Sequence, residues 1–351
     1  MRSLFIFLCI SVTLVACNDG GSTSSSNVIP NGKFVLAGSQ GAIYSSLSSI
    51  SNVFYPTAIL QNIKTVCGEP TAMTYGSNKY VIVANESNNT GTCIAQSTNA
   101  KDWDEFILNN NIANIASIMV TSDNMFILGG NGLLLSGSDL HKLQEHSFIA
   151  GKLIKKLIQD NQTIIALCSD NTIYYASIND LDNWIEDINF SEQNNTKIND
   201  ITIGDDYVIA VGTNARILFT ARNNYPNNIN WNSYSSNLKS NQEIKFIAYG
   251  NGKYVGVTSS NMLSNLGPTS FVINEKTLSF DSVNNLQLNP ITSLTFGAGY
   301  FMLTAQSSGL DAGVNTSANS IDGVNWNNGT ILSSLPLIGI PIIRVATFGS
   351  R

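Results

Sequence analysis

The stretch Gly32-Lys33-Phe34-Val35-Leu36-Ala37-Gly38, followed by the polar turn Ser39-Gln40 and by Gly41-Ala42-Ile43-Tyr44-Ser45, decides the fold. It predicts a short apolar strand, a tight turn and a second strand. Variants of the first strand return six times, and the aromatic or equivalent residues of the copies are Phe34, Tyr80, Phe126, Thr163, Tyr207, Tyr254 and Tyr300. Short strands that repeat at intervals of roughly 40 to 50 residues are typical of four-stranded propeller blades. The sequence therefore predicts an all-β protein, a seven-bladed β-propeller of four-stranded antiparallel blades.

A second apolar segment precedes most copies and ends at a glycine, as in residues 244–250 and 291–297. These segments are predicted to be the first, innermost strand of each blade. The N-terminal copy lacks one, but residues 343–349, Ile-Arg-Val-Ala-Thr-Phe-Gly, have the same pattern. We therefore expect the C-terminal strand to pair with the N-terminal strand and close the ring, which removes exposed sheet edges. The predicted propeller covers residues 32–351.

The first 31 residues lack this repeat. Arg2 and the apolar run over residues 4–15 are typical of a secretory signal, and the run is too short to span a bilayer. Residues 14–17, Leu-Val-Ala-Cys, resemble the bacterial lipobox, which implies a signal peptide over residues 1–16 and a lipid on Cys17 that anchors the chain to a membrane. An ordinary signal peptide with an incidental cysteine is the alternative.

Residues 17–31 are then the lipidated cysteine and a Gly/Ser-rich flexible tether. Asn18 follows the cysteine where an inner-membrane retention signal usually has Asp, so we expect the outer membrane, although Asp19 leaves the sorting open. The expected location is the bacterial cell envelope, on the periplasmic or the surface face.

The composition excludes several classes of function. Charged residues make up 12% of the chain, the net charge is −6, and there are only 18 Lys plus Arg. No basic stripe is visible, which argues against a nucleic-acid partner. His141 and His146 lie close together but away from clusters of carboxylates or cysteines, so a histidine-based metal site is not expected. No EF-hand loop is present either, although loops of Asp and Asn leave calcium open. We predict no metal and no cofactor.

Tryptophans mark the predicted fourth strands. Ser97 to Trp103 and Ser320 to Trp326 have the same spacing of six residues. These segments resemble degenerate Asp-boxes of the sialidase-like and BNR-repeat propellers, in which Ser and Asp side chains hold a hairpin turn and the Trp packs between strands. By that resemblance the structural residues are Ser97, Asn99, Trp103, Ser177, Trp184, Ser320, Asp322 and Trp326. Together with the Gly-Lys-Tyr-Val type of strand, the resemblance extends to the photosystem II assembly factor family.

Three cysteines lie in the predicted propeller. Cys67 precedes the first strand of the second blade and Cys93 opens its third strand, so both belong to the same rim. A disulfide between them would close a 27-residue loop, and the envelope would permit it. The sequence leaves this bridge and two free thiols as alternatives. Cys168 follows an apolar run and is predicted to be a buried core thiol.

A binding module fits the sequence better than an enzyme. Sialidase-like catalysis would require three arginines that clamp a carboxylate, and the exported chain has only Arg216, Arg222, Arg344 and Arg351, with none near its first strand. We therefore predict a membrane-anchored, non-catalytic scaffold for an envelope protein or a glycan, with a glycan-processing hydrolase as the alternative. The predicted binding rim consists of turn residues Gln40, Glu86, Asn131, Asp170, Asn214 and Arg216. The basic patch of the photosystem family is not visible in the sequence as a cluster.

Overall fold

The computed structural model describes residues 32–48, 50–86, 91–108, 114–192, 197–227, 229–259, 267–306, 314–332 and 342–350. The predicted signal peptide and tether, including Cys17, lie outside these residues, as does Arg351. Within the described part of the chain, every helix falls short of the length and apolarity that crossing a membrane requires.

The strands form seven four-stranded antiparallel blades. Blade 1 contains β28 (Ile343–Ser350), β1 (Gly32–Gly38), β2 (Ala42–Ser46) and β3 (Val53–Ile59). Blade 2 contains β4 (Pro70–Gly76), β5 (Lys79–Asn85), β6 (Thr92–Ser97) and β7 (Asp104–Leu108). Blade 3 contains β8 (Ser117–Val120), β9 (Phe126–Gly129), β10 (Leu133–Gly137) and β11 (Gln144–Ser147). Blade 4 contains β12 (Ile154–Asp160), β13 (Thr163–Cys168), β14 (Ile173–Ser177) and β15 (Asp180–Glu186).

The last three blades follow the same order. Blade 5 contains β16 (Ile198–Ile203), β17 (Tyr207–Gly212), β18 (Ile217–Ala221) and β19 (Asn232–Ser233). Blade 6 contains β20 (Ile244–Gly250), β21 (Lys253–Thr258), β22 (Thr269–Asn274) and β23 (Phe280–Asn285). Blade 7 contains β24 (Ile291–Gly297), β25 (Tyr300–Ala305), β26 (Val314–Ser320) and β27 (Asn327–Ile331). Short helical turns cover Ser39–Gly41, Ile63–Cys67, Ile188–Glu192 and Arg222–Asn224.

The second strand of each blade is nearly fully buried because it lies between two strands of its own sheet and packs against neighbouring blades on both faces. Val81, Ile82 and Val83 of β5 are all inaccessible to solvent. This explains why these strands are continuous apolar runs in the sequence instead of alternating ones. The repeat that predicted the fold is thus the most buried part of each blade.

The register corrects three of the sequence markers. When the second strands are aligned by their pairing with the first strands, the equivalent residues near their starts are Phe34, Tyr80, Phe126, Ile164, Val208, Tyr254 and Phe301. The markers predicted at Thr163, Tyr207 and Tyr300 are therefore one residue too early. The seven true equivalents are all buried, whereas the three wrong markers are half-exposed at the strand ends.

The C-terminal strand closes the ring, as predicted. β28 runs antiparallel to β1, from the pair Gly32 and Ser350 to the pair Gly38 and Ile343. Blade 1 is thereby assembled from the two ends of the described chain, and β28 lies between the inner strands β24 and β4. The all-β propeller with paired terminal strands is confirmed.

A second contact joins blades 7 and 1 at their outer edges. β27 pairs in parallel with β3, with Thr330 opposite Val53 and Ile331 opposite Phe54. The backbone N–H of Leu332 donates to the carbonyl of Phe54 at 3.0 Å. The two blades therefore form one continuous eight-stranded sheet with β1 in its interior.

The strand order defines two faces of the ring. The inner strands begin at one face, which also carries the turns between second and third strands, and we call it the mouth face. The opposite face carries the turns between first and second strands and between third and fourth strands. Gly32, where β1 begins, lies on this opposite face, which we call the tether face.

Candidate functional site

The seven inner strands surround a cavity of about 380 Å³ at the mouth end of the central channel. Its walls are residues near the start of each inner strand: Thr71, Ala72, Met73, Ala116, Ser117, Ile118, Lys155, Lys156, Leu157, Asn199, Asp200, Phe246, Thr292, Ser293, Leu294, Arg344, Val345 and Ala346. The cavity is therefore open at the mouth face. It is the place in the fold where all seven blades contribute to one surface.

An irregularity in the inner strands shapes this mouth. In six blades the pairing between first and second strands skips one residue near the mouth, and the skipped residues are Thr71, Lys155, Asn199, Lys245, Thr292 and Arg344. In blade 3 the counterpart is Ala116, just before β8. An extra residue in a strand is left unpaired and re-aims its side chain. Each blade therefore presents one side chain at an equivalent position around the mouth, and the type of that side chain differs between blades.

Several of these side chains link one blade to the next. The amine of Lys155 donates to the carbonyl of Ile198 at 2.5 Å, and the amide of Asn199 donates to the carbonyl of Ile244 at 2.8 Å. Thr71 makes the equivalent bond from blade 2 to blade 3. The repeated position therefore has a structural role in joining blades, in addition to any role at the mouth.

Cations predominate at the mouth. Ion pairs connect Lys156 to Asp200 at 3.0 Å, Lys245 to Glu243 at 2.9 Å and Arg344 to Glu69 at 2.7 Å. Among the described residues, Lys155 and Lys197 have no carboxylate within ion-pair distance, so five cations face three carboxylates. Burial, reinforced by the charges of Lys197 and Lys245, lowers the pKa of Lys155 to about 8. An anionic group entering the mouth would relieve this repulsion.

This cluster corrects the sequence analysis, which found no basic patch. Lys155, Lys197, Lys245 and Arg344 are separated by 42 or more residues in the chain and meet only because the blades close into a ring. A signal was present, because three inner strands begin with an isoleucine followed by a basic residue at the skipped position: Ile154-Lys155, Ile244-Lys245 and Ile343-Arg344. Aligning the inner strands would have found it; scanning for a linear basic run could not.

Comparison with solved structures identifies the fold. The structure of YCF48 bound to D1 peptide matches with a TM-score of 0.62 at 11% identity, covering 88% of this chain and 92% of that one. The fold is a YCF48-like propeller. YCF48 from Cyanidioschyzon merolae gives a TM-score of 0.58 at 11% identity over 80% of this chain and 89% of that one. The computationally designed Ika8 protein gives 0.56 at 12% identity, over 92% and 97%. No protein-family model and no curated protein sequence matches the chain.

The six predicted rim residues all lie in turns between second and third strands on the mouth face. Gln40 is in blade 1, Glu86 in blade 2, Asn131 in blade 3, Asp170 in blade 4, and Asn214 and Arg216 are in blade 5. None of them lines the cavity. Asp170 forms an ion pair with Lys152 of the preceding connection and accepts a hydrogen bond from the hydroxyl of Thr172. The YCF48-like ring thus brings these residues to one face but leaves them peripheral to the mouth.

The segments that resemble Asp-boxes hold turns on the tether face. In blade 7, Oδ1 of Asp322 accepts backbone N–H groups of Val324 and Asn325, each at 2.8 Å, and Ser320 donates to the same oxygen. Oδ1 of Asn99 accepts two backbone N–H groups in the same way in blade 2, and Ser97 Oγ accepts the N–H of Ala100.

Tryptophans accompany these turns. The indole of Trp326 donates to the carbonyl of Gly323 at 3.1 Å. In blade 4, Ser177 accepts the N–H of Asn179 and the indole of Trp184 donates to Leu181. Trp103 packs against the cluster of side chains around the blade 1 and blade 2 interface. Ser177, Trp184 and Trp326 thus bond to the protein itself, which is a structural role.

Cys67 and Cys93 form a disulfide on the mouth face, with their Cα atoms 6.1 Å apart. It fixes the turn at Ile63–Cys67 to the start of β6. Cys168 is fully buried in the interface between blades 3 and 4, and burial raises the pKa of its thiol to about 12. This thiol is therefore unreactive at neutral pH.

The two histidines each contact a carboxylate, unlike the arrangement expected from the sequence. His141 Nε2 lies 3.0 Å from Asp104, and His146 Nδ1 lies 3.2 Å from Asp182. Each pair crosses from one blade to the next, so sequence distance concealed it. Among the described residues, no group of three or more His, Cys, Asp or Glu side chains could hold a metal ion.

The three arginines of the described residues do not converge. Arg344 lies at the channel mouth, whereas Arg222 is on the tether face, where it pairs with the buried Asp160 at 2.7 Å. Arg216 lies in the turn between β17 and β18. The Tyr249 hydroxyl donates to Glu275, but that contact is on the tether face and remote from Arg344 and Arg216. The geometry of a three-arginine clamp is thus not assembled from these residues.

Proposed function

We propose that this chain is a membrane-anchored envelope lipoprotein whose propeller binds an anionic segment of a protein partner at the channel mouth, without catalysis. The observation that carries the proposal is that Lys155, Lys156 and Arg344 line an open cavity of about 380 Å³, with Lys197 and Lys245 close enough to Lys155 to interact with its charge. The whole chain has a net charge of −6, so a cationic mouth is opposite in sign to the rest of the protein. Such complementarity selects partners and speeds their encounter.

The volume of the mouth cavity favours an extended segment of a partner over a folded domain. A cavity of this volume is near the lower end of the range for small-ligand pockets. A chain terminus or a loop could enter it, while the rest of the partner would contact the surrounding turns. In the YCF48 structure a propeller of the same fold is bound to a peptide of D1. That complex supports the choice of a protein over a glycan as the ligand class here.

The anchor is the second part of the proposal. The Leu-Val-Ala-Cys stretch motivates lipidation at Cys17, with residues 18–31 as the tether and the outer membrane as the destination. A Cys17→Ala variant is expected to lose metabolic labelling with a radioactive fatty acid and to leave the membrane fraction after a carbonate wash. Labelling that persists in the variant would reject the anchor without affecting the binding site.

The decisive experiment is crosslinking in cells, affinity purification and mass spectrometry. We expect one envelope protein in near-stoichiometric amount with the native chain. Neutralising two mouth cations in Lys155→Gln/Lys245→Gln should lower recovery at least about tenfold, because charge-assisted contacts would be lost. Lys142→Gln is the matched control, since this lysine is exposed on the tether face. Equal recovery with both variants would exclude the mouth as the site.

The alternative is a glycan-processing, sialidase-like hydrolase. If no protein partner is recovered, glycan binding and hydrolysis of sialylated substrates become the next assays. An enzyme that depends on Arg344 should lose turnover in Arg344→Lys, because a single ammonium cannot clamp a carboxylate with two parallel hydrogen bonds.

A further inference from the structure

Below the cations, the wall of the mouth cavity is apolar. The inner strands begin at the mouth face, so the residue two places beyond the skipped one lies about 7 Å further along the channel. In all seven blades this deeper residue is apolar: Met73, Ile118, Leu157, Ile201, Ile247, Leu294 and Ala346. Five of them line the cavity, where Ala72, Phe246 and Val345 add further apolar surface. The mouth therefore has a cationic outer level and an apolar inner level.

The polar side chains between these two levels bond to the protein itself. They are Ser117, Lys156, Asp200 and Ser293. Ser117 accepts the backbone N–H of Leu157 in the next blade, and Asp200 accepts that of Ile247, both at 3.0 Å. Lys156 pairs with Asp200, and the hydroxyls of Ser293 and Thr304 lie 2.6 Å apart. Because these groups already have partners, an apolar side chain can pass them without leaving a buried polar group unsatisfied.

The two levels attract different chemical groups. The cavity is lined by three cations, Lys155, Lys156 and Arg344, and by one carboxylate, that of Asp200, which is 5% exposed. The outer level therefore favours an acidic group. At the inner level, Met73 and Phe246 are only half-buried and face the open cavity. Covering their apolar surface would be favourable, so the inner level favours an apolar group.

An extended segment can satisfy both levels at once. Its side chains two residues apart point the same way and lie about 7 Å apart, which matches the distance between the two levels along the inner strands. We propose that the segment bound at the mouth carries an acidic residue and a large apolar residue two positions apart, and that the apolar side chain enters the channel beside Met73 and Phe246. This inference rests on the proposed function and specifies the class of segment that the mouth accepts.

Selection from a random peptide library tests the inference without a known partner. Heptapeptides flanked by Gly-Ser linkers are displayed on phage and selected on the full-length chain, which is held by a tag fused after Arg351. Ser350 lies opposite Gly32 on the tether face, so the tag leaves the mouth free. Relative to the starting library, we expect at least about tenfold enrichment of peptides with Asp or Glu two positions from Leu, Met, Phe or Trp.

Two variants change the inner level in opposite directions. Phe246→Ala removes apolar surface, whereas Ala72→Phe fills the channel, and melting curves verify that both proteins fold. A selected peptide is labelled with a fluorophore, and its Kd is measured by fluorescence anisotropy. Each variant should raise the Kd at least about tenfold, because one large apolar contact is lost. Tyr55→Ala is the matched control and should leave the Kd unchanged, since Tyr55 is 37% exposed on β3, the outer strand of blade 1.

The same contact can be removed from the peptide instead of the protein. Replacing the apolar residue of the selected peptide with alanine should raise its Kd for the native chain at least about tenfold. The alanine peptide should then bind the native chain and Ala72→Phe equally, because it no longer reaches the inner level. An unchanged Kd after this replacement would overturn the inference whatever the variants do.

Failure of the inference and failure of the proposed function give different results. Selected peptides that share acidic residues but show no apolar preference would overturn the inference and leave an anionic ligand at the mouth. Selected peptides without acidic residues, or equal recovery on Lys155→Gln/Lys245→Gln, would refute the proposed function on which the inference rests. Absence of any enrichment would reject both.

Discussion

Cationic residues at one repeated position of the inner strands contribute much of the positive charge of the mouth. Lys155 occupies the skipped position in β12, where its amine both bonds to Ile198 in the next blade and faces the other cations. In blades 2 and 5 the same position holds Thr71 and Asn199, which keep the bond between blades but carry no charge. The lysine therefore adds charge to a position that the fold already uses for blade contacts.

The charge of Lys155 can be tested by pH. Because its pKa is lowered to about 8, the amine is largely protonated at pH 7 and largely neutral at pH 9. We expect partner affinity to fall roughly three- to tenfold over this interval, as one charge is lost. Lys155→Arg keeps its charge throughout, so it should flatten the pH profile. Titration by surface plasmon resonance checks this; identical profiles would show that another group titrates.

Asp322 predicts a pH dependence of stability. Burial opposes its ionisation, but hydrogen bonds from Asn325, Val324 and Ser320 outweigh it and lower the pKa to about 2. Since the folded pKa lies below the unfolded value near 4, the stabilisation is present above pH 4 and disappears as the pH falls towards 2. Asp322→Asn should therefore lower the free energy of unfolding at neutral pH by up to about 1 kcal/mol.

Denaturant titrations at pH 7 and pH 3 provide the check. The difference between native protein and Asp322→Asn should shrink at the lower pH. Asp123→Asn is the control, because Asp123 is an exposed turn residue whose carboxylate forms no hydrogen bond with another described residue. An Asp322→Asn effect as large at pH 3 as at pH 7 would contradict the assignment.

At the scale of elements, the mouth face is secured by one covalent link. The disulfide between Cys67 and Cys93 ties the connection from blade 1 to blade 2 onto the third strand of blade 2. The inner strand β4 begins three residues after Cys67, so the link also fixes where Glu69 stands beside Arg344. The geometry of one ion pair at the mouth thus depends on this bridge.

Removing the bridge should destabilise the protein. A Cys67→Ala/Cys93→Ala variant opens a 27-residue loop, and the chain-entropy relation gives a loss of about 3.5 kcal/mol in the free energy of unfolding. Guanidinium denaturation with and without reductant measures it. Cys168→Ala should keep the full response to reductant because its thiol is free. Insensitivity of the native protein to reductant would contradict the bridge's contribution.

Elements were predictable to the degree that burial dictates their residues. The second strands are buried on both faces, so residues such as Val81 and Ile82 must be apolar. The repeat could therefore be recognised in the sequence. The register of the strands was harder to predict. Thr163, Tyr207 and Tyr300 lie at the half-exposed start of their strands, where an aromatic or β-branched residue fits as well as it does one position later. The mouth cluster was missed for a different reason, since Lys155 and Arg344 come to line the same cavity only through ring closure.

At the scale of the whole molecule, closure depends on the last strand. Deleting residues 342–351 removes the partner of β1 along its full length and exposes the inner edge of blade 1. Loss of a buried strand should lower the melting temperature by at least about 10 °C. Differential scanning calorimetry measures this, and an unchanged transition would mean that β28 contributes little.

A rearranged chain provides the control for that deletion. Since Ser350 lies opposite Gly32, residues 342–350 can be fused ahead of Gly32 through a two-residue Asn-Gly turn of the type that favours hairpins. This permuted protein has the same strands in the same places and should recover most of the lost melting temperature. Failure to recover would indicate that the terminus matters for reasons other than pairing.

The interior position of β1 also sets an order of events in biogenesis. β1 to β3 are synthesised before the other strands. However, β1 can pair with β28 only after some three hundred further residues have been synthesised, and β3 can pair with β27 only shortly before that. Blades 2 to 6 contain only local strand pairings and can form as soon as each has emerged. Blade 1 contains the strands that are synthesised earliest and is nevertheless completed last. A factor that protects the nascent protein would therefore have its longest-lived binding site in blade 1.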